Sequence, residues 1–112
     1  MIGKPVGYIA SGSFSEYLAI PSKLCVPLPD VKAEYVPLLV SGLTASIALH
    51  ETARIQPGET VLVTAAAGGT GHIAVQIAKQ HGCHVVGTCS SEEKCEFLRS
   101  IGCDHAINYK VS

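Results

Sequence analysis

The sequence lacks any apolar run approaching the roughly 18 residues that a membrane-spanning helix requires, so no span is expected. It also lacks an excess of either charge, with 8 Lys plus Arg against 9 Asp plus Glu and a formal net charge of −1. That balance leaves no basic stripe for a phosphodiester backbone, and no nucleic acid partner is expected. Cys-x-x-Cys is missing. The five cysteines are an odd count, and the opening Met1-Ile2-Gly3-Lys4-Pro5-Val6 does not read as a signal peptide. A disulfide framework is therefore not expected, and a reducing, intracellular compartment is. Cys83 and Cys89 would sit at opposite ends of one extended segment, roughly 20 Å apart, too far to share a metal. The five histidines offer no i, i+4 pair flanking a carboxylate, so no metal site is expected. No repeat, low-complexity tract or terminal targeting tripeptide is present.

Hydrophobic residues, by contrast, make up 47% of the 112 residues. That is high for a chain of this length, and predicts that some apolar surface packs against something outside it.

Gly12 to Ile20 alternates apolar Phe14, Leu18 and Ile20 with polar Ser13, Ser15 and Glu16, which predicts a half-buried strand. Pro21, Pro27 and Pro29 exclude a helix across the next stretch and make Val26 to Asp30 a link between two regions. A short helix over Ala33 to Leu39, interrupted near Pro37, is followed by one from Gly42 to Arg54 with Leu43, Ile47 and Ala48 on one stripe. Val61-Leu62-Val63 is continuous and β-branched and runs into a glycine cluster, the pattern of a strand buried on both faces of a parallel sheet. Gly71 to His81 places Ile73, Ala74, Ile77 and Ala78 on one face and stops at Gly82. Cys83 to Thr88 is a second strand. Ser90-Ser91-Glu92-Glu93 matches a capping box, the Ser90 hydroxyl accepting from the Glu93 N–H. The helix it opens runs to about Ser100 with Phe97, Leu98 and Ile101 inward, and Ala106 to Tyr109 is a third strand.

Strand, glycine loop, helix, strand, helix, strand within this stretch describes a βαβαβ mononucleotide-binding half of a doubly wound α/β sheet. The loop Ala66-Ala67-Gly68-Gly69-Thr70-Gly71 is a Gly-x-Gly-x-x-Gly variant whose first glycine is alanine. Gly68 lets backbone approach a pyrophosphate, Gly71 permits close helix–sheet packing, and Thr70 adds a hydroxyl beside the free amides of a helix N-terminus. A tight structural turn is the alternative. An acid roughly 20 residues beyond such a loop would accept from a free ribose 2′-hydroxyl. Cys89 stands in that place here. Ser90, Ser91 and Lys94 offer hydroxyls and a cation to a 2′-phosphate, which favours NADPH. Glu92 and Glu93 could serve NAD instead, although acids are expected in a first helical turn for the dipole alone.

Three ordered motifs, Gly12-Ser13-Phe14-Ser15-Glu16-Tyr17, Gly42-Leu43-Thr44-Ala45 and Ala65-Ala66-Ala67-Gly68-Gly69-Thr70-Gly71, resemble the zinc-free quinone reductase branch of the medium-chain dehydrogenases/reductases. The resemblance implies residues 1–29 as the end of a GroES-like catalytic domain, 30–58 as linking helices and 59–112 as the first half of a Rossmann-like NADP-binding domain. It implies Thr70 at the pyrophosphate, Ser90, Lys94 and Tyr109 at the 2′-phosphate, and Thr44 near the nicotinamide. The implied chemistry is NADPH-dependent reduction of the activated C=C bond of an enone, such as a 15-oxoprostaglandin, or of a quinone, with no catalytic metal. The full-length protein would be a homo-oligomer, peroxisomal by resemblance or else cytoplasmic, while this chain alone would not turn over. A non-catalytic nucleotide-binding or subunit-interaction module is the other reading.

Overall fold

The computed structural model describes residues 2–111, and the chain separates into two compact units that divide between Val40 and Ser41. The link read over Val26 to Asp30 lies within the first unit, which extends to Val40.

In the first unit, β1 (Val6–Gly7) pairs antiparallel with β2 (Val26–Pro27), Val6 opposite Pro27. The Leu28 N–H donates to the Pro5 carbonyl at 3.0 Å and extends the pairing. Val26 and Pro27, expected in a link, are thus strand, and a 3-10 turn follows Pro21 over Ser22–Leu24. Ala33–Leu39 is a 3-10 helix with Pro37 inside it. The strand expected over 12–20 is not formed. Gly12 turns the chain at φ +84°, the Ser13 hydroxyl donates to the Ala10 carbonyl, and the Ser15 hydroxyl donates to the Gly12 carbonyl at 2.7 Å. Such local bonds compete with a ladder, and alternation alone supplies no partner strand. Phe14 and Tyr17 are fully solvent-facing.

The second unit holds every residue of the buried core. Helix α1 (Ser41–Ser46) passes into a wider π turn over Ile47–Thr52, where the Ala53 N–H reaches the Ala48 carbonyl at 2.8 Å. Ala45 and Leu49 form its buried stripe, whereas Leu43 and Ile47, expected inward, are exposed. Strands β3 (Thr60–Val63), β4 (His84–Cys89) and β5 (His105–Asn108) form a parallel sheet in that order. Helix α2 (Gly69–Gln80) joins the first two and α3 (Glu92–Ser100) the last two. Two right-handed crossovers moving the same way put both helices on one face. On that face Val61, Val63, Val85, Cys89 and Ala106 pack in one cluster with Ala74, Val75 and Ala78 of α2 and Cys95 and Leu98 of α3, and Gly87 lies under Leu98. The opposite face is open: Leu62 is 61% and Ile107 42% exposed. β3 is therefore covered on one side, not two. Phe97 also departs from expectation at 41% exposed; Cys95 and Leu98, three residues apart, are the core stripe, and Phe97 lies about 100° off it.

Gly82 (φ +86°) and Gly102 (φ +101°) end the two helices in left-handed geometry, a conformation that glycine adopts without steric cost. Asp104 then ties the start of β4 to both neighbours. Its Oδ2 accepts from the Val85 N–H at 2.8 Å and from Lys79 Nζ at 2.9 Å, and its own N–H donates to the Val85 carbonyl at 2.9 Å. The Val85 N–H, then Lys79, hold the Asp104 carboxyl below its ordinary value, with a smaller pull from His84. The folded state favours the carboxylate, so its contribution is present above the unfolded pKa of about 3.9 and is lost as pH falls through the lower folded value. Thermal melts should show Asp104→Asn less stable than the parent at neutral pH, with the gap closing on acidification below about 4. A gap independent of pH would mean the charge contributes nothing.

Candidate functional site

The carboxyl ends of all three parallel strands converge on one opening, which is where ligands bind in open α/β sheets. A cavity of about 380 Å³ lies there, lined by Thr64, Ala65, Ala67 and Gly68 after β3, Thr88, Cys89 and Ser90 at the end of β4, Lys94 of α3, and Tyr109 just past β5. A second cavity of about 430 Å³ shares Thr64, Ala65 and Gly68 and adds Thr70 and Gly71, with Ala45 and Leu49 at its α1 side.

The bend between β3 and α2 shapes both. The Ala66 N–H donates to the Thr88 carbonyl at 2.9 Å, fixing the bend to β4. Ala65 sits at φ +48°, a left-handed conformation that costs an L-residue about 1–2 kcal/mol. Its carbonyl accepts from the Gly68 N–H at 3.0 Å and turns toward α2. A Cβ on Gly71 would stand 2.4 Å from that oxygen and 2.8 Å from Ala66 Cα, so the bend and the helix can approach only because Gly71 has no side chain. Gly68 is the N-cap of α2, and the helix begins at Gly69, two residues before the expected start. Gly69, Thr70 and Gly71 thereby form its first turn, whose amides have no intrahelical acceptor and carry the positive end of the dipole.

At the other wall, α3 is capped by Ser91, whose Oγ accepts from the Lys94 N–H at 3.2 Å. The expected capping box from Ser90 is thus shifted by one residue, because Ser91 is the last extended residue (φ −155°, ψ 159°) before the helix. The shift frees Ser90, and Lys94 Nζ donates to Ser90 Oγ at 3.0 Å. Tyr109 is brought in by its backbone N–H, which donates to the Cys89 carbonyl at 3.1 Å.

Of the residues singled out in the sequence, Gly68, Ser90, Lys94 and Tyr109 share the first cavity, and Thr70 and Gly71 line the second. Gly69, Ser91 and Thr44 line neither; Ser91 serves the helix cap, and Thr44 is exposed on α1. Sequence reasoning did not find Thr64 and Thr88, which carry no motif of their own and are located only by strand register. No carboxylate lines either cavity. Glu92, one candidate for a ribose acceptor, is engaged by Arg99 Nη1 at 3.1 Å. Among the described residues no group of three or more His, Cys, Asp or Glu is placed to hold a metal ion, and no helix is long and apolar enough to cross a membrane.

The Zinc-binding dehydrogenase family model matches residues 69–112. Prostaglandin reductase-3 of Bos taurus is 57% identical over 111 residues, 99% of this chain and 29% of that relative. A probable quinone oxidoreductase of Leishmania amazonensis is also 57% identical over 111 residues, 98% of this chain and 33% of the relative. The chain thus spans about a third, or less, of the curated relatives it matches. Among solved structures, the quinone oxidoreductase from Thermus thermophilus, described with its NADPH complex, superposes with a TM-score of 0.87 at 35% identity, over 97% of this chain and 38% of that one.

Proposed function

We propose that the strand-end cavity of this medium-chain dehydrogenase/reductase chain, similar to prostaglandin reductase and quinone oxidoreductase relatives, binds NADPH, with Ser90, Lys94 and Tyr109 at the 2′-phosphate. The carrying observation is a cavity that holds a lysine and a hydroxyl 3.0 Å apart and no carboxylate. A ribose diol needs an acceptor there, whereas a phosphate needs donors and positive charge. The glycine bend fits the remaining phosphates: a side chain at Gly71 would strike backbone, and the first-turn amides offer N–H groups to an anion. Thr70, beside those amides, adds a hydroxyl, and Thr44 is assigned to the nicotinamide side by resemblance.

NADPH supplies hydride to an electron-poor carbon when bound. The residues of this chain grip and orient the adenosine and phosphate portions. By likeness to the prostaglandin reductase and quinone oxidoreductase relatives, the substrates of the whole protein are enones, 15-oxoprostaglandins among them, or quinones. Residues 1–29 would close a GroES-like domain, 30–58 link it and 59–112 open the Rossmann-like one. Since the chain spans 29% to 33% of those relatives, it should bind cofactor without turning over by itself. Calorimetric titration of the chain is expected to show NADPH bound at least tenfold more tightly than NADH. Equal affinities, or no heat from either, would refute the assignment.

A further inference from the structure

Four of the five cysteines are buried in the second unit, and two of them face each other. Cys89 Sγ at the end of β4 and Cys95 Sγ in α3 are 3.1 Å apart. Cys83 Sγ lies against Gln56 O at 3.4 Å and Cys103 Sγ against His105 O at 3.2 Å, while Cys89 Sγ, besides its contact with Cys95, lies against Ser91 O at 3.5 Å. Cys89, 3% exposed, also lines the cavity that holds Ser90, Lys94 and Tyr109. Cys95 is 1% exposed and lines neither strand-end cavity.

We infer that Cys89 and Cys95 are a redox-sensitive dithiol in the wall of the cavity, oxidised by peroxide to an intramolecular disulfide, and that a nucleotide occupying the cavity slows this oxidation. In the first step the Cys89 sulfur attacks a peroxide oxygen, the O–O bond breaks, and the leaving hydroxide takes up the thiol proton as water, leaving a sulfenic acid. In the second, the Cys95 sulfur attacks Cys89, the S–O bond breaks, and the departing hydroxide takes the Cys95 proton. Two thiols and one peroxide become one disulfide and two waters. The sulfurs must close by about 1 Å to reach a bond length near 2.05 Å, a movement that a helix-end turn can absorb.

Cys95 faces Cys89 from β4 and Glu92 and Arg99 from its own helix; its pKa is pushed up to about 11, first by the hydrogen bond with Cys89, then by burial and by the charges of Cys89 and Glu92, against a lowering effect of Arg99. The resolving thiolate is therefore scarce at neutral pH, and closure should quicken on alkalinisation.

The dithiol itself stands on geometry alone; the protection rests on the cofactor reading. The reduced chain is treated with hydrogen peroxide with and without adenosine 2′,5′-bisphosphate, thiols are blocked, and peptides are mapped unreduced. The expected result is a Cys89–Cys95 link as the dominant product, with Cys83 and Cys103 alkylated as free thiols, and a severalfold slower link when the nucleotide is present. Cys95→Ser should stop at a Cys89 sulfenic acid that dimedone traps, while the wild-type map needs no variant to fold. No Cys89–Cys95 link, or equal oxidation of Cys83 and Cys103, overturns the dithiol. A link that forms at the same rate with nucleotide overturns the protection, and joined to a blank calorimetric titration it counts against the cofactor reading while leaving the dithiol standing.

Discussion

Alanine at Gly71 is expected to destabilise the second unit by about 1–3 kcal/mol and to abolish measurable nucleotide binding, the stability loss being the ordinary cost of forcing a carbon into a filled space. The new Cβ would meet the Ala65 carbonyl oxygen at 2.4 Å, Ala66 Cα at 2.8 Å and the Ala66 carbonyl carbon at 3.0 Å. All three are backbone atoms, so no side chain can swing away. The Ala65–Ala66 bend is held to β4 by the Ala66 N–H and already carries a left-handed Ala65; the helix start must move instead. That displaces the amides of Gly69 and Thr70 along with it. Gly69→Ala is the matched control. Its Cβ would find only Ser41 Oγ, at an ordinary 3.5 Å, and alanine is the better helix former by about 1 kcal/mol. Chemical denaturation of the two variants should give opposite or clearly unequal shifts. Equal midpoints would show that the close approach at Gly71 is not a constraint on the bend.

Lys94→Ala should weaken NADPH by about ten- to a hundredfold and leave NADH nearly unchanged. A charge-assisted hydrogen bond contributes about 1.5–3 kcal/mol, and each 1.4 kcal/mol is a factor of about ten. Lys94 Nζ already points at Ser90 Oγ, 3.0 Å away, in a cavity without a carboxylate. Truncation removes the only cationic group among the lining residues. NADH lacks the group that this cation would meet, so its binding rests on the bend and the first turn of α2. Competitive fluorescence titration separates the two cofactors. An equal loss for both would assign Lys94 to the ion atmosphere or to the packing of α3, not to the 2′-phosphate.

What is legible in the residues is locally encoded. Val61-Leu62-Val63 followed by glycine, and the helix-ending Gly82 and Gly102, announce their conformation within a few residues, and β3–α2–β4–α3–β5 forms where those signals stand. The pairing of Lys94 with Ser90 is also within reach, since four residues at a helix start place the two groups on one side. Other features depend on tertiary partners. The alternation over Gly12 to Ile20 reads as a strand, yet hydroxyl-to-carbonyl bonds from Ser13 and Ser15 hold it as a turn-rich loop. Leu43 and Ile47 are apolar at helical spacing, but Ala45 and Leu49 are the stripe that α1 buries. Ala45, the buried residue of α1 itself, is small enough to allow a close approach, a preference that hydrophobicity does not register. Whether Leu62 is covered on one face or two depends on what else packs on the sheet. The contact of Cys89 with Cys95 crosses from a strand end into the next helix, and their separation in sequence gives no hint of it.

Whether the glycine bend and the Ser90–Lys94–Tyr109 wall form one phosphate-binding opening is tested most directly by amide chemical-shift mapping of the isotopically labelled chain during titration with NADPH. The predicted result is a continuous set of shifted amides over Gly68 to Gly71, Ser90 to Lys94 and Tyr109, with the Ser90 and Lys94 shifts shrinking when NADH replaces NADPH. Shifts confined to the open sheet face around Leu62 and Ile107, or identical maps for the two cofactors, would contradict it.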